Sequence, residues 1–228
     1  VVGSELRPVH RLLRYGFHLL FGRSLRRGLR GVWTRGALPE GACVLASNHH
    51  SWWDSYLLPV LLSRSGRPFR VMVGEPRIRE FPFFGYLETV SAARPREALR
   101  ALGRGEALLV FPEGELRPPG PLGALRPGAV WLARRAGVGL VPVASRVVLR
   151  GHEFPEAYLV FGEPVEPEPG LLGRALGEAL GFLDELVRTS PAEAPLPGFS
   201  LALPGRRSTH ERMARWGAWL GRLVGGGG

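Results

Sequence analysis

The chain has 228 residues, 45% of them hydrophobic and 22% charged, a composition able to bury one sizeable core and ordinary for one globular domain. Its formal net charge of +10 is carried by arginine, with no lysine in the sequence. Such a charge favours acidic partners, and phosphate, anionic lipid headgroups, cofactor phosphates and nucleic acid fit it equally. The single cysteine, Cys43, excludes a disulfide framework within the chain and points to a reducing compartment; in the apolar run 42–46 it reads as a small buried residue rather than a nucleophile.

The first segment is basic. From Arg7 to Arg35 there are eight arginines and no acidic residue, interleaved with Leu12, Leu13, Phe17, Leu19, Leu20, Phe21, Leu25 and Leu29. On a helix, Arg11, Arg14 and His18 share one side, and Leu12, Leu13, Gly16, Phe17 and Leu20 another. Two readings fit: an interfacial helix whose apolar face enters the acyl boundary of a membrane, or a helix packed on its own core with a solvated basic rim. The unbalanced charge favours the first. No stretch approaches the roughly 18 consecutive apolar residues of a spanning helix, and the N-terminus lacks a compact apolar core followed by a small-residue cleavage site. The expectation is a peripheral or monotopic protein on the cytoplasmic face of an anionic membrane.

Beyond residue 40, short apolar runs at 42–46, 69–73, 88–92, 107–111, 139–144, 146–149 and 158–161 alternate with helical patterns at 53–63, 96–103 and 127–136. This alternation predicts an α/β domain with a mostly parallel central sheet flanked by helices, whose site gathers beyond the carboxyl ends of the strands. An amphipathic helix follows at 170–188, with Leu172, Leu176, Leu180 and Leu183 among its core-facing residues. Residues 190–204, rich in Pro, Ala and Gly, read as a linker. The tail carries Met213, Trp216, Trp219, Leu220 and Leu223 at helical spacing among Arg206, Arg207, Arg212, Arg215 and Arg222, and fits a second membrane-touching helix or one docked on the body. Residues 225–228, all glycine, read as disordered. The organisation expected is a basic segment at 1–36, the α/β domain at 37–190 and a linker with a Trp-containing tail at 191–228.

The first chemical motif, Ser47-Asn48-His49-His50-Ser51-Trp52-Trp53-Asp54, sits between the strand at 42–46 and the helix at 53–63. Four residues separate His49 from Asp54, so a turn can fold the carboxylate back onto one imidazole nitrogen. The other nitrogen is then free to take a proton from an alcohol attacking a carbonyl. A second reading makes Ser51-x-x-Asp54 a capping box that merely starts the helix. A metal site is not expected, because adjacent histidines point differently and no further Cys or His cluster completes a tetrahedral set. The second motif, Phe111-Pro112-Glu113-Gly114, again ends a strand, and its glycine allows backbone to approach a ligand closely.

Together these blocks resemble the Asn-His-x-Ser-x-x-Asp and Phe-Pro-Glu-Gly signatures of the glycerolipid acyltransferases, the lysophosphatidic acid acyltransferase type, in order and in separation. Phe81-Pro82-Phe83-Phe84-Gly85 with Arg94, Leu125-Arg126-Pro127-Gly128-Ala129 and Val141-Pro142-Val143 resemble weaker blocks of the same family, and the likeness spans roughly residues 42–165. It implies transfer of a fatty acyl group from acyl carrier protein or coenzyme A thioester to a lipid alcohol, with His49 as general base, Asp54 as its orienter and no cofactor besides the acyl donor. It further implies substrate contacts from Asn48, Ser51, Gly85, Arg94, Glu113, Gly114, Arg117 and Pro142. Glu113 would serve the acceptor by holding a hydroxyl or a phosphate-gripping arginine, and Arg94 would contact the acceptor's phosphate. A backbone N–H at Gly114 would, as a hypothesis on geometry, face a developing oxyanion.

Three departures from the family pattern bear on the acceptor. Glu115, Leu116 and Arg117 stand where relatives commonly have a small hydroxyl residue, arginine and serine. Glu75 stands where a lysine is common, and the spacing from Gly85 to Arg94 is short. A carboxylate at 115 repels phosphate unless an arginine neutralises it, so a glycolipid, a carotenoid sugar or another lipid alcohol is an alternative to lysophosphatidic acid. The same His49 and Asp54 would also serve a thioester hydrolase. A serine hydrolase is disfavoured, because the sequence contains no Gly-x-Ser-x-Gly elbow. Nucleic acid is not an expected partner, since no binding module accompanies the arginines.

Overall fold

The structure, a computed structural model, describes residues 8–224. Arg7 and residues 225–228 lie outside the described residues, as do the side chains of Arg11, Leu220, Arg222 and Leu223. The strands are β1 (Gly31–Arg35), β2 (Cys43–Ser47), β3 (Phe69–Val73), β4 (Thr89–Ser91), β5 (Ala107–Val110), β6 (Gly139–Val148), β7 (Glu156–Phe161) and β8 (Ser200–Pro204). The helices are α1 (Pro8–Gly28), α2 (Asp54–Arg64), α3 (Glu75–Glu80), α4 (Pro95–Gly103), α5 (Gly128–Ala136), α6 (Pro169–Thr189) and α7 (Thr209–Val224), with a 3₁₀ turn at Pro82–Tyr86.

The strands form one sheet in the order β4-β3-β5-β2-β6-β7-β1-β8. Its pairs are parallel except β6 with β7 and β1 with β8. Central β2 and β5 are buried at every position, the continuous apolar run expected of strands covered on both faces. Alternate residues feed different cores. Leu45, Leu109, Val141 and Leu159 pack beneath Leu25 of α1, Leu29 just past its end, and Leu57, Leu58 and Leu62 of α2. Val44, Ala46, Leu108 and Leu140 pack beneath Ala98 and Leu102 of α4, Leu132 of α5 and Leu172 and Leu176 of α6. The two-residue period of a strand therefore splits one sequence run between two helical layers.

Each predicted strand and helix of the central region is present within a residue or two, except that 139–144 and 146–149 are one strand, β6. Three elements differ from expectation. β1 occupies the end of the basic segment, where only Val32 and Trp33 are apolar; it joins the sheet by parallel pairing with β7. Part of the stretch read as a linker is β8, antiparallel to β1 at the sheet's edge. Leu203 is buried there while Leu201 is exposed, and Pro204 is tolerated because an edge strand leaves one side unpaired. α3 is a short helix after β3, lacking an apolar stripe long enough to signal it.

α1 lies on the α2 side of the sheet, with Phe17 stacked on Phe83 at 5.6 Å and Phe21 against Tyr56 at 4.7 Å. Its face carrying Arg14 and His18 turns onto the body, where both residues pair with Glu88 at 3.1 and 2.9 Å. Leu12, Tyr15, Leu19 and Leu20 are exposed. Among the described residues no helix is long and apolar enough to cross a membrane.

Candidate active site at the carboxyl edge of the sheet

β2 ends at Ser47 and α2 begins at Asp54, so the first motif is the turn between the central strand and its following helix. Asp54 is 2% exposed, and its carboxylate organises that turn. Oδ2 accepts the backbone N–H groups of His50 and Ser51, each at 2.8 Å, and lies 3.2 Å from His49 Nδ1. Oδ1 accepts the Ser145 hydroxyl at 3.0 Å. Only the return half of the expected capping box forms, since the N-cap of α2 is Trp53, without a side-chain cap bond, and the carboxylate that reaches back to the backbone N–H of Ser51 is also the one facing His49. Ser51 shapes the turn through its Oγ, which accepts Trp53 N–H at 3.2 Å.

The His49 ring stacks on Phe111 with centroids 4.4 Å apart. That fixes the imidazole plane, and Nε2 makes no hydrogen bond among the described residues. In the tautomer that carries its proton on Nδ1, facing Asp54, Nε2 keeps a free lone pair.

Asn48 is not free to meet a substrate. Its Oδ1 accepts Ser145 N–H at 2.7 Å and its Nδ2 donates to the Ser145 carbonyl at 3.1 Å, closing a two-bond link from β2 to β6. Nδ2 also lies 3.1 Å from His50 Nδ1, while Val147 N–H donates to His50 Nε2 at 3.2 Å. Burial, opposed by Asp54 and reinforced by Arg146 and His49, pushes the His50 pKa below the ordinary value. Among the described residues no group of three or more His, Cys, Asp or Glu could hold a metal ion. Burial, partly offset by Arg67, raises the Cys43 thiol, which keeps it a poor nucleophile.

The second motif folds against the first. Glu113 is 5% exposed, with Oε2 accepting His49 N–H at 2.8 Å and Oε1 accepting Gly123 N–H at 3.0 Å. Both oxygens are thus engaged by backbone donors, where the resemblance implied an acceptor hydroxyl or an arginine. Gly114 is held at φ +77°, in the left-handed region that favours glycine, and its N–H donates to Phe111 carbonyl at 3.0 Å. That donor is spent inside the turn, so the expected oxyanion contact from Gly114 is not what this geometry provides.

Arg126 packs over Gly114: a Cβ at residue 114 would stand 2.4 Å from Arg126 Nε. The Arg126 guanidinium forms no ion pair among the described residues. Arg117 differs, pairing with Glu115 at 2.8 Å while its backbone N–H donates to the His49 carbonyl at 2.9 Å. Glu115 is therefore neutralised by Arg117. Glu75 accepts the hydroxyl of Ser91.

The remaining expected residues are less central. Pro142 is buried in β6 opposite Ala46 and packs on Gly162. Gly85 is exposed in the 3₁₀ turn. Arg94 caps α4 after β4, exposed and 3.5 Å from Glu97. It shares the sheet's carboxyl edge with His49 but stands three strands away, about 14 Å at ordinary strand spacing. Ser145 and Arg126 are the site residues that motif reading passed over. Arg126 was within a quoted block, whereas nothing local marks Ser145, whose role depends on β6 lying beside β2.

Beside this turn, Leu20, Phe21, Arg23 and Arg27 of α1 face Trp53 and Tyr56 across a groove of about 560 Å³. Gly28 ends α1 directly against Trp53, and a Cβ there would stand 2.2 Å from Trp53 Cη2. Trp52, between His49 and Asp54, is exposed.

A family model described as Acyltransferase matches residues 32–146, half of the chain and the part that holds both motifs. A curated relative, the 1-acyl-sn-glycerol-3-phosphate acyltransferase of Pseudomonas aeruginosa, is 28% identical over an alignment of 145 residues that covers 58% of this chain and 51% of that protein. The chain spans about half the length of that relative. Among solved structures, the 1-acyl-sn-glycerophosphate (LPA) acyltransferase PlsC from Thermotoga maritima superposes with a TM-score of 0.58 at 19% identity, covering 83% of this chain and 86% of that one. The likeness to that structure is one of fold.

Proposed function

This chain belongs to the acyltransferase family, and on that premise we propose that it moves a fatty acyl group from acyl carrier protein or coenzyme A thioester to the hydroxyl of a lysophosphatidic acid-like lipid. The observation that carries the reading is the 3.2 Å approach of His49 Nδ1 to an Asp54 carboxylate already held by two backbone N–H groups and the Ser145 hydroxyl. A base whose orienter is fixed on both oxygens needs little reorganisation when it takes a proton.

The acceptor hydroxyl donates to His49 Nε2. As its oxygen bonds to the thioester carbonyl carbon, the proton passes to Nε2, and Asp54 stabilises the imidazolium. Collapse of the tetrahedral intermediate breaks the carbon–sulfur bond, and His49 returns the proton to the departing thiolate. The products are the ester and the free thiol. The apolar groove beside Trp53 suits an acyl chain, and Arg126, without an ion pair among the described residues, suits an acceptor phosphate. Exposed Leu12, Leu19 and Leu20 of α1, with Arg23, Arg26 and Arg27 further along, suit attachment to an anionic membrane surface on the cytoplasmic side.

A second reading, transfer to a lipid alcohol without phosphate, is favoured by Glu115, whose carboxylate occupies Arg117. Radiolabelled acyl thioester offered with lysophosphatidic acid, with a glycolipid or with no acceptor separates the readings. Label is expected in phosphatidic acid; label in the glycolipid supports the second reading, and free fatty acid released at the same rate whatever the acceptor would instead make the protein a thioester hydrolase.

A further inference from the structure

α7 pairs its acidic residue and leaves Arg212 and Arg215 exposed. Ser208 starts the helix, its backbone N–H and hydroxyl both donating to Glu211 Oε2 at 2.8 and 2.9 Å. Arg30 Nη2 reaches Glu211 Oε1 at 2.9 Å. Glu211 is the helix's only acidic residue, so its carboxylate is turned onto the body rather than outward. Burial alone would raise this carboxyl, but the bonds from Arg30 and Ser208 outweigh it and hold the pKa at about 2.

The outward side is apolar and cationic. Met213, Trp216 and Trp219, three residues apart, are 65%, 65% and 50% exposed, and Arg212 and Arg215 are exposed beside them. Two exposed tryptophans and a methionine in one stripe are costly in water. A self-complementary contact between two copies through this face would bring Arg212 and Arg215 towards their own images. A lipid surface rich in phosphate instead takes both components, with indole at headgroup level and guanidinium on phosphate. The helix is also rooted where α1 ends, since Gly205 and Arg206 donate their N–H groups to the Arg30 and Leu29 carbonyls at 3.0 and 2.8 Å. Two amphipathic helices therefore spring from one corner of the molecule.

We propose that α7 is a second lipid-binding element, lying in the interface of an anionic bilayer with Met213, Trp216 and Trp219 at the acyl boundary and Arg212 and Arg215 on lipid phosphates. This attachment is separate from the reaction assigned above and from contact through α1.

The test uses the full chain, with vesicles of phosphatidylcholine alone and of phosphatidylcholine mixed with phosphatidylglycerol. Replacing Trp216→Ser with Trp219→Ser, or Arg212→Gln with Arg215→Gln, is expected to lower partitioning onto the mixed vesicles about tenfold or more. The arginine pair should change little on phosphatidylcholine alone. Turnover on short-chain, detergent-dispersed substrates should match the parent in both variants, because neither touches the His49 turn. As a measurement free of any folding defect, W216F/W219F removes only the two indoles, and the emission it removes should be the part that brominated lipid quenches. Partitioning that survives both double substitutions overturns the proposal. So does sedimentation showing that they dissociate a dimer while vesicle binding stays unchanged, which would make the face a contact between copies.

Discussion

The backbone N–H of His49 donates to Glu113 Oε2 across 2.8 Å, so two motifs 64 residues apart in sequence form one structural unit. Glu113→Ala leaves the buried N–H groups of His49 and Gly123 without their acceptor, at a cost of about 1–3 kcal/mol for an unsatisfied group. It should lower both the unfolding free energy and kcat, with similar effects on donor and acceptor KM. A selective rise in acceptor KM at unchanged stability would restore Glu113 to direct acceptor binding.

His49→Ala removes the proposed base and leaves the Asp54 contacts to His50, Ser51 and Ser145 in place. Turnover should fall by about 10² to 10⁴-fold, the usual worth of a general base. The unfolding midpoint should stay near that of the parent. Parental kcat in a correctly folded variant would remove this mechanism.

In the proposed mechanism Ser145 acts through Asp54, as a positioning residue. Ser145→Ala frees Oδ1 and lets the carboxylate rotate away from His49, so kcat should drop about tenfold, consistent with losing one hydrogen bond to a charged group. KM for both substrates should hold. Ser145→Thr, which keeps a hydroxyl for Oδ1, should retain most of kcat, and an equal loss in both variants would assign Ser145 a structural role alone.

The order of central strands and helices was legible because β2, β5 and β6 are buried on both faces, which writes continuous apolar runs between helical patterns. β1 and β8 were not legible, since each carries only two or three apolar residues and exists by pairing with strands distant in sequence. The same distinction applies within the site. His49 and Asp54 share one turn, so their spacing foretold their contact. Glu113 meets His49, and Ser145 meets Asn48 and Asp54, only because β5 and β6 flank β2, and sequence placed Glu113 and Asn48 near the substrates without showing that backbone donors and acceptors already hold them.

Arg126 separates the two acceptor readings. Its guanidinium lies over Gly114 without a carboxylate partner among the described residues, whereas Arg117 is occupied by Glu115. With a phosphate-bearing acceptor, Arg126→Gln should raise the acceptor KM by roughly tenfold or more, the worth of one charge-assisted contact, and leave the thioester KM unchanged. With a glycolipid acceptor it should do little. Equal losses with both acceptors would place Arg126 in folding of the turn rather than in phosphate recognition.

His50 makes stability depend on pH. Both neighbours of its ring nitrogens are donors, Val147 N–H at Nε2 and the Asn48 amide at Nδ1, so each neutral tautomer satisfies one of them and the imidazolium neither. Burial lowers its pKa, Asp54 and Asp184 oppose this, and Arg146 and His49 reinforce it. The unfolded chain therefore binds a proton more readily than the folded one. The stability contributed by neutral His50 is fully present above its ordinary pKa of 6.5 and is lost as pH falls towards the depressed folded value. Urea unfolding across this range should show the folding free energy declining below about pH 6.5, and His50→Gln, which cannot titrate, should flatten that part of the curve. An unaltered slope in the variant would assign the acid sensitivity to another group.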